Sequence, residues 1–243
     1  MRARFLNSRA WAALAISAAL SLPLFAQTSA EKPEPTTARW EPAIRTFEAA
    51  DKTNPPPRNA VLFIGSSSIR LWTNLAQAFP GHTVINRGFG GSELSDSVAF
   101  ADRIVVPYKP KLILLYAGDN DIASGKSPQR VLDDFKAFVT RIHASLPRTR
   151  IAYIAIKPCP ARERFLEQVK TTNRLLQEYA ASDKRLLFID IFTPMLTNEG
   201  RPRADLCIRD GLHPNAQGYA LWASIIRPIL DKYDVSSNGL KQP

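Results

Sequence analysis

Apolar residues along the chain follow two alternating patterns. Short, almost continuous apolar runs occupy 60–64, 83–85, 112–116, 151–156 and 186–189. Between and after them lie longer segments, 69–79, 94–106, 128–146, 162–181 and 216–232, whose apolar positions recur at helical spacing. The first pattern predicts strands buried on both faces, the second amphipathic helices. Strands and helices taking turns predict a parallel sheet covered on both sides. The expected fold class is therefore α/β: a three-layer α/β/α sandwich around a five-stranded parallel sheet of flavodoxin-like order. No internal repeat interrupts the alternation, and one domain is expected over 39–243.

The first residues follow a different rule. Arg2, Arg4 and Arg9 form a positive head, residues 11–24 are apolar and uncharged, and small residues follow. This is the pattern of a signal peptide over 1–26, with cleavage after Ala26 or Ala30. The apolar run is short for a membrane span, although an uncleaved N-terminal anchor stays open as the alternative. A polar, Pro-rich linker is expected over 27–38, then a short amphipathic helix over 40–52 that ends at the prolines of 54–58. Export to the periplasm or beyond is the expectation, with no transmembrane segment in the mature chain.

Composition narrows the picture in two places. The formal net charge is +10, but Lys109, Lys111, Arg148, Arg150, Arg201 and Arg203 are scattered. They are read as a solvated surface, and no nucleic-acid partner is expected. An exported chain meets an oxidising compartment, where Cys159 and Cys207 could pair. The sequence leaves that pairing open, along with the oligomeric state.

In an open parallel sheet the active site lies beyond the carboxyl ends of the strands. The informative residues are those that follow each apolar run: Gly65 to Ser68, Asn86 to Gly91, Gly118 to Asp121, Lys157 to Cys159, and the stretch from Asp190. A general base near neutral pH is most often histidine, and the chain has only three. His82 precedes the second strand and His143 sits inside a helix, which leaves His213 in the loop that enters the last helix. Asp210, three residues earlier, can accept from the imidazole and fix its tautomer. At the other end of the chain, Gly65 turns a strand into a run of three serines. Such a serine is either a helix cap or a nucleophile held where free backbone N–H groups can receive negative charge. Asp119, Asn120 and Asp121 fit turn or cap roles taken singly. Asp190 fits a loop organiser, Trp72 and Trp222 fit core positions on helical faces, and Arg70 and Arg87 flank the expected site.

Taken together, Gly65-Ser66-Ser67, Gly88-Phe89-Gly90-Gly91-Ser92, Gly118-Asp119-Asn120-Asp121 and Asp210-Gly211-Leu212-His213 resemble the four blocks of SGNH (GDSL-like) hydrolases. The closer resemblance is to the branch similar to platelet-activating-factor acetylhydrolases and bacterial acyl esterases, and it covers most of 58–232. It implies Ser67 as nucleophile, with His213 and Asp210 completing a triad. It also implies an oxyanion hole from the N–H groups of Ser67 and Gly91 and the side-chain amide of Asn120. One position departs: Ser66 stands where the family usually carries Asp, which leaves the choice among three adjacent serines less sharp. The implied function is a serine esterase on a small-molecule, glycan or lipid ester, with short acyl groups favoured because no long apolar lid is visible. No cofactor and no metal are implied. Two rivals stay in view: a metal-dependent phosphoesterase, for which two of three histidines look misplaced, and a catalytically silent glycan- or lipid-binding domain on the same fold.

Overall fold

The computed structural model describes residues 37–238. The expected signal peptide over 1–26 lies outside the described residues, as does the expected linker up to residue 36. Thr37 and Ala38, at the linker's end, already open a 3-10 turn, Thr37–Trp40.

Five parallel strands form one sheet: β1 (Val61–Gly65), β2 (Val84–Gly88), β3 (Leu112–Tyr116), β4 (Arg150–Ile154) and β5 (Leu186–Ile189). Their order is β2-β1-β3-β4-β5, the flavodoxin-like arrangement. Helices α1 (Glu41–Thr53), α2 (Ser67–Arg70), α3 (Leu75–Ala78), α4 (Leu94–Ala99), α5 (Ala101–Ile104), α6 (Asp119–Ala123), α7 (Pro128–Ser145), α8 (Leu166–Ala181) and α9 (Ala216–Asn238) fill the connections and cover the sheet. Every residue of the central strands β1 and β3 is buried, which is why their sequences are continuous apolar runs rather than alternating ones. Burying each large apolar side chain contributes roughly 1.5–3 kcal/mol. Register then sets the level of the site: Gly65 lies opposite Gly88 on one side and Tyr116 on the other, so three strands end together.

Two expected helices are broken. The segment over 69–79 splits into α2 and α3 because Trp72 leaves the helical path, correcting its expected place on a helical face. Its ring is buried and packs on Phe63, Phe79, Tyr219 and Trp222, and the burial of an indole outweighs a few helical hydrogen bonds. The segment over 94–106 breaks at Phe100, which turns edge-on to Phe89, and ends at Ile104, where Val105 at φ −131° leaves the helix before a 3-10 turn, Val106–Tyr108. The second strand runs to Gly88, further than its apolar run, so Asn86 and Arg87 belong to the sheet. Arg87 is drawn away from the site: it bonds Asp51 and Tyr108.

Candidate active site

The turn from β1 into α2 tolerates only glycine. Gly65 has φ +135°, and a Cβ there would meet the carbonyl oxygen of Tyr116 at 1.8 Å. A Cβ on Gly88 would meet the backbone N of Arg70 at 2.2 Å. These two close approaches let α2 begin immediately past the strand end, so its first residue, Ser67, stands at the carboxyl edge with its backbone N–H free of helical partners. The three serines then differ sharply. Ser66 and Ser68 are fully buried, and their hydroxyls have no hydrogen-bond partner among the described residues. Ser66 holds the N-cap position without making a side-chain cap bond, contrary to the capping role open to it in sequence. Ser67 is half-buried, and its Oγ lies 2.8 Å from His213 Nε2.

His213 reaches it from a tight loop. Ile208 N donates to His213 O and Gly211 N donates to Ile208 O, with Gly211 at φ +63°. Asp210 organises this turn as well as the ring. Its Oδ1 accepts from the backbone N–H groups of Leu212 and His213, at 2.8 and 3.0 Å. Its Oδ2 faces His213 Nδ1 at 2.6 Å. Burial works against the Asp210 charge, but the His213 and backbone hydrogen bonds outweigh it and hold the carboxyl at about 2. An ionised Asp210 only accepts, so Nδ1 carries the proton and Nε2 is left as the acceptor facing the Ser67 hydroxyl.

The opposite side of Ser67 is formed by two loops. Gly91 sits at φ +76°, beside the Trp40 ring, in the loop that follows β2. Asn120 lies in the first turn of α6, where Gly118 at φ +102° leaves no room for a side chain against Ile156 and Tyr153. The Asn120 amide is held at both ends: Nδ2 donates to Ser92 O at 2.9 Å, and Oδ1 accepts from Arg162 Nη2 at 2.8 Å. Its neighbour Asp121, fully buried, accepts from Leu94 N and Gly118 N. It therefore clasps the two loops together, and Lys126 supplies the counter-charge at 2.9 Å. Burial pushes the Asp121 carboxyl up to about 6. Asp119 is more than the turn or cap residue expected: it is buried against Lys157 Nζ at 2.8 Å. Lys157 carries a sequence signal, a charge placed directly after an apolar run, whereas nothing in the sequence marks Arg162 or Lys126 as site residues.

The remaining candidates fall elsewhere. His82 faces Asp231 and His143 faces the Thr149 carbonyl. Asp190 accepts from the N–H groups of Phe192 and Thr193, as a loop organiser does. Cys159 and Cys207 are buried free thiols, which burial pushes above their ordinary range. Among the described residues, no group of three or more His, Cys, Asp or Glu is placed to hold a metal ion, and no helix is long and apolar enough to cross a membrane.

Comparison with known proteins places the chain. A Streptococcus pneumonia protein named for platelet activating factor superposes with a TM-score of 0.71 at 22% identity, over 81% of this chain and 95% of its own. A GDSL-like lipase from Bacteroides thetaiotaomicron gives a TM-score of 0.69 at 18% identity, over 78% and 97%. An acetylxylan esterase from Geobacillus stearothermophilus gives 0.58 at 17% identity, over 71% and 94%. At these identities the likeness is one of fold. No curated protein matches the sequence. Residues 63–221 match the GDSL-like lipase/acylhydrolase family, a span that contains every residue of the constellation described above. The chain belongs to that family and is an ester-hydrolysing serine hydrolase.

Proposed function

We propose that this enzyme removes short acyl groups, acetyl above all, from a carbohydrate or small lipid alcohol through an acyl-enzyme on Ser67. The observation that carries the reading is the unbroken chain Ser67 Oγ, His213 Nε2, His213 Nδ1, Asp210 Oδ2, with contacts of 2.8 and 2.6 Å. As Ser67 Oγ bonds to the ester carbonyl carbon, its proton passes to Nε2 and the imidazolium is balanced by Asp210. The carbonyl oxygen, now an oxyanion, accepts from the N–H groups of Ser67 and Gly91 and from Asn120 Nδ2. Collapse breaks the bond to the alcohol, which leaves with the proton from Nε2. Water then repeats the sequence on the acyl-enzyme, releasing the acid and restoring Ser67.

The substrate class rests on the acetylxylan esterase among the structural relatives, whose substrate class we carry to this chain as part of the proposal. We also assign the N-terminal pattern to export, so that the domain from residue 39 acts in the periplasm or outside the cell.

The test is hydrolysis of p-nitrophenyl esters of increasing acyl length by the parent enzyme and by Ser67→Ala. We expect activity to peak at acetate or propionate and to vanish in the variant. A peak at long chains overturns the short-acyl assignment, and activity surviving in Ser67→Ala overturns the nucleophile.

A further inference from the structure

An asparagine amide is nearly symmetrical in shape, yet its two ends have opposite hydrogen-bonding character. Rotated by half a turn, Asn120 would present an acceptor where an oxyanion needs a donor. Two neighbours oppose that rotation. The Ser92 carbonyl, 2.9 Å from Nδ2, can only accept. The Arg162 guanidinium, 2.8 Å from Oδ1, can only donate. Flipping the amide would set oxygen against oxygen on one side and N–H against N–H on the other. The nitrogen has two hydrogens, and the Ser92 carbonyl takes one, which leaves the second for the substrate.

Arg162 is itself fixed by buried charge. Its Nη1 lies 3.2 Å from Asp119 Oδ2. The same carboxylate oxygen accepts from Lys157 Nζ at 2.8 Å, and Lys157 also donates to the Tyr116 hydroxyl at 3.0 Å. Lys157 is 1% exposed. Burial disfavours the Asp119 charge, but Lys157 and Arg162 overcome it and keep the carboxyl below its ordinary range. Arg162 stands at a non-helical step, φ −125°, inside the 3-10 segment Pro160–Phe165. That kink brings its side chain across to α6.

We infer that Arg162 is a positioning residue for catalysis: it locks the Asn120 amide in its donor orientation and polarises it, without touching the substrate. A cation on Oδ1 draws electron density from the amide and makes the free N–H a stronger donor to a developing oxyanion. Its effect therefore belongs to the transition state and appears in kcat rather than in KM. The inference rests on the reading of Asn120 as an oxyanion donor and is independent of which ester is the substrate.

The experiment is a double-mutant cycle on p-nitrophenyl acetate with Arg162→Ala, Asn120→Ala and both together, with Arg162→Lys as the conservative variant. We expect Arg162→Ala to lower kcat by about 10- to 100-fold with little change in KM, short of the about 10²–10³-fold expected for removing a donor outright. The double variant is expected to fall no further than Asn120→Ala, because the two losses are one loss. Arg162→Lys, which keeps a single charged donor, is expected to recover most of kcat and keeps the test open if the alanine variant does not fold. Added guanidinium is expected to raise kcat of Arg162→Ala but not of the double variant, a response that a merely structural role would not produce. Additive losses in the double variant, or a raised KM with unchanged kcat, would overturn the inference and leave the proposed function intact. An Asn120→Ala enzyme with full activity would overturn both the inference and the oxyanion assignment, whereas Ser67→Ala decides the triad separately.

Discussion

The two sides of the constellation are built in opposite ways. The side that would move protons is local and open to solvent: Asp210 and His213 belong to one loop, and their side chains are 41% and 18% exposed. The side that would hold the oxyanion rests on a set of buried groups, Lys157, Asp119 and Asp121, each 5% exposed or less, with Lys126 and Arg162 half-buried around it. Lys157 with Asp119 and Lys126 with Asp121 tie together Tyr116, Leu94, Gly118 and Arg162. A proton carrier has to accept and release charge in each cycle, and a small turn crosslinked by Asp210 provides that with little commitment of the core. An oxyanion donor gains from having nowhere to go, since preorganised dipoles cost no rearrangement as charge develops. The contrast predicts that damage on the first side costs activity, whereas damage on the second side costs stability too.

The largest expected effect is on the open side. His213→Ala is expected to lower kcat by on the order of 10⁴-fold or more, with only a small fall in melting temperature, and Ser67→Ala added to it is expected to change little because the two act as a unit. Steady-state kinetics beside a thermal melt checks this, and a large fall in melting temperature would break the comparison. Lys157→Met is the matching change on the sealed side. It leaves Asp119 buried without its main counter-charge, which typically costs about 3–5 kcal/mol. A melting temperature lowered by about 6–20 °C is expected for a domain of this size, with kcat falling as Arg162 and Asn120 lose their anchor. Differential scanning calorimetry reads the first, and a melt within 2 °C or so of the parent would deny the sealed network its role. Asn120→Ala comes next, with a kcat loss of about 10²–10³-fold and a smaller change in stability than Lys157→Met.

The smallest effect is a dependence on pH. Asp210, Glu41 and Asp183 are all held down to about 2 by hydrogen bonds to His213, Arg103 and Arg185 respectively. A carboxyl lowered on folding contributes stability that is present above its unfolded value and lost as pH falls through the folded one. Stability is therefore expected to decline between about pH 4 and pH 2, modestly, because these groups face solvent and are screened. Asp121, raised to about 6 by burial, has the opposite sign: its contribution is present below about pH 4 and lost as pH rises through 6. Chemical denaturation across pH should show the acid decline in the parent, and Asp121→Asn should remove the component between pH 4 and 6.

How much of this was legible in the chain follows from how local each feature is. The central strands β1, β3 and β4 were readable because burial on both faces leaves a near-continuous apolar run, whereas the half-buried edge strand β2 showed only its first residues. The helix breaks at Trp72 and Phe100 were not, since each is decided by ring partners far away in sequence. The Asp210–His213 spacing is visible because one turn carries both groups. That Ser67 rather than Ser66 or Ser68 meets His213 depends on a contact across the whole domain, and motif resemblance bridged that gap where periodicity could not. Asp119 and Lys157 were visible as residues that follow strands, but their pairing with each other and with Arg162 was hidden. Nothing in a charged residue's neighbours along the chain says that it will be buried against another from a different strand end.

The proposed function turns on Ser67, and neither of its buried neighbours, being the nucleophile. The most direct measurement is peptide mass spectrometry of the enzyme after treatment with a fluorophosphonate. A single adduct on Ser67, absent from His213→Ala, is the expected result. An adduct on Ser66 or Ser68, or labelling that persists without His213, would contradict it.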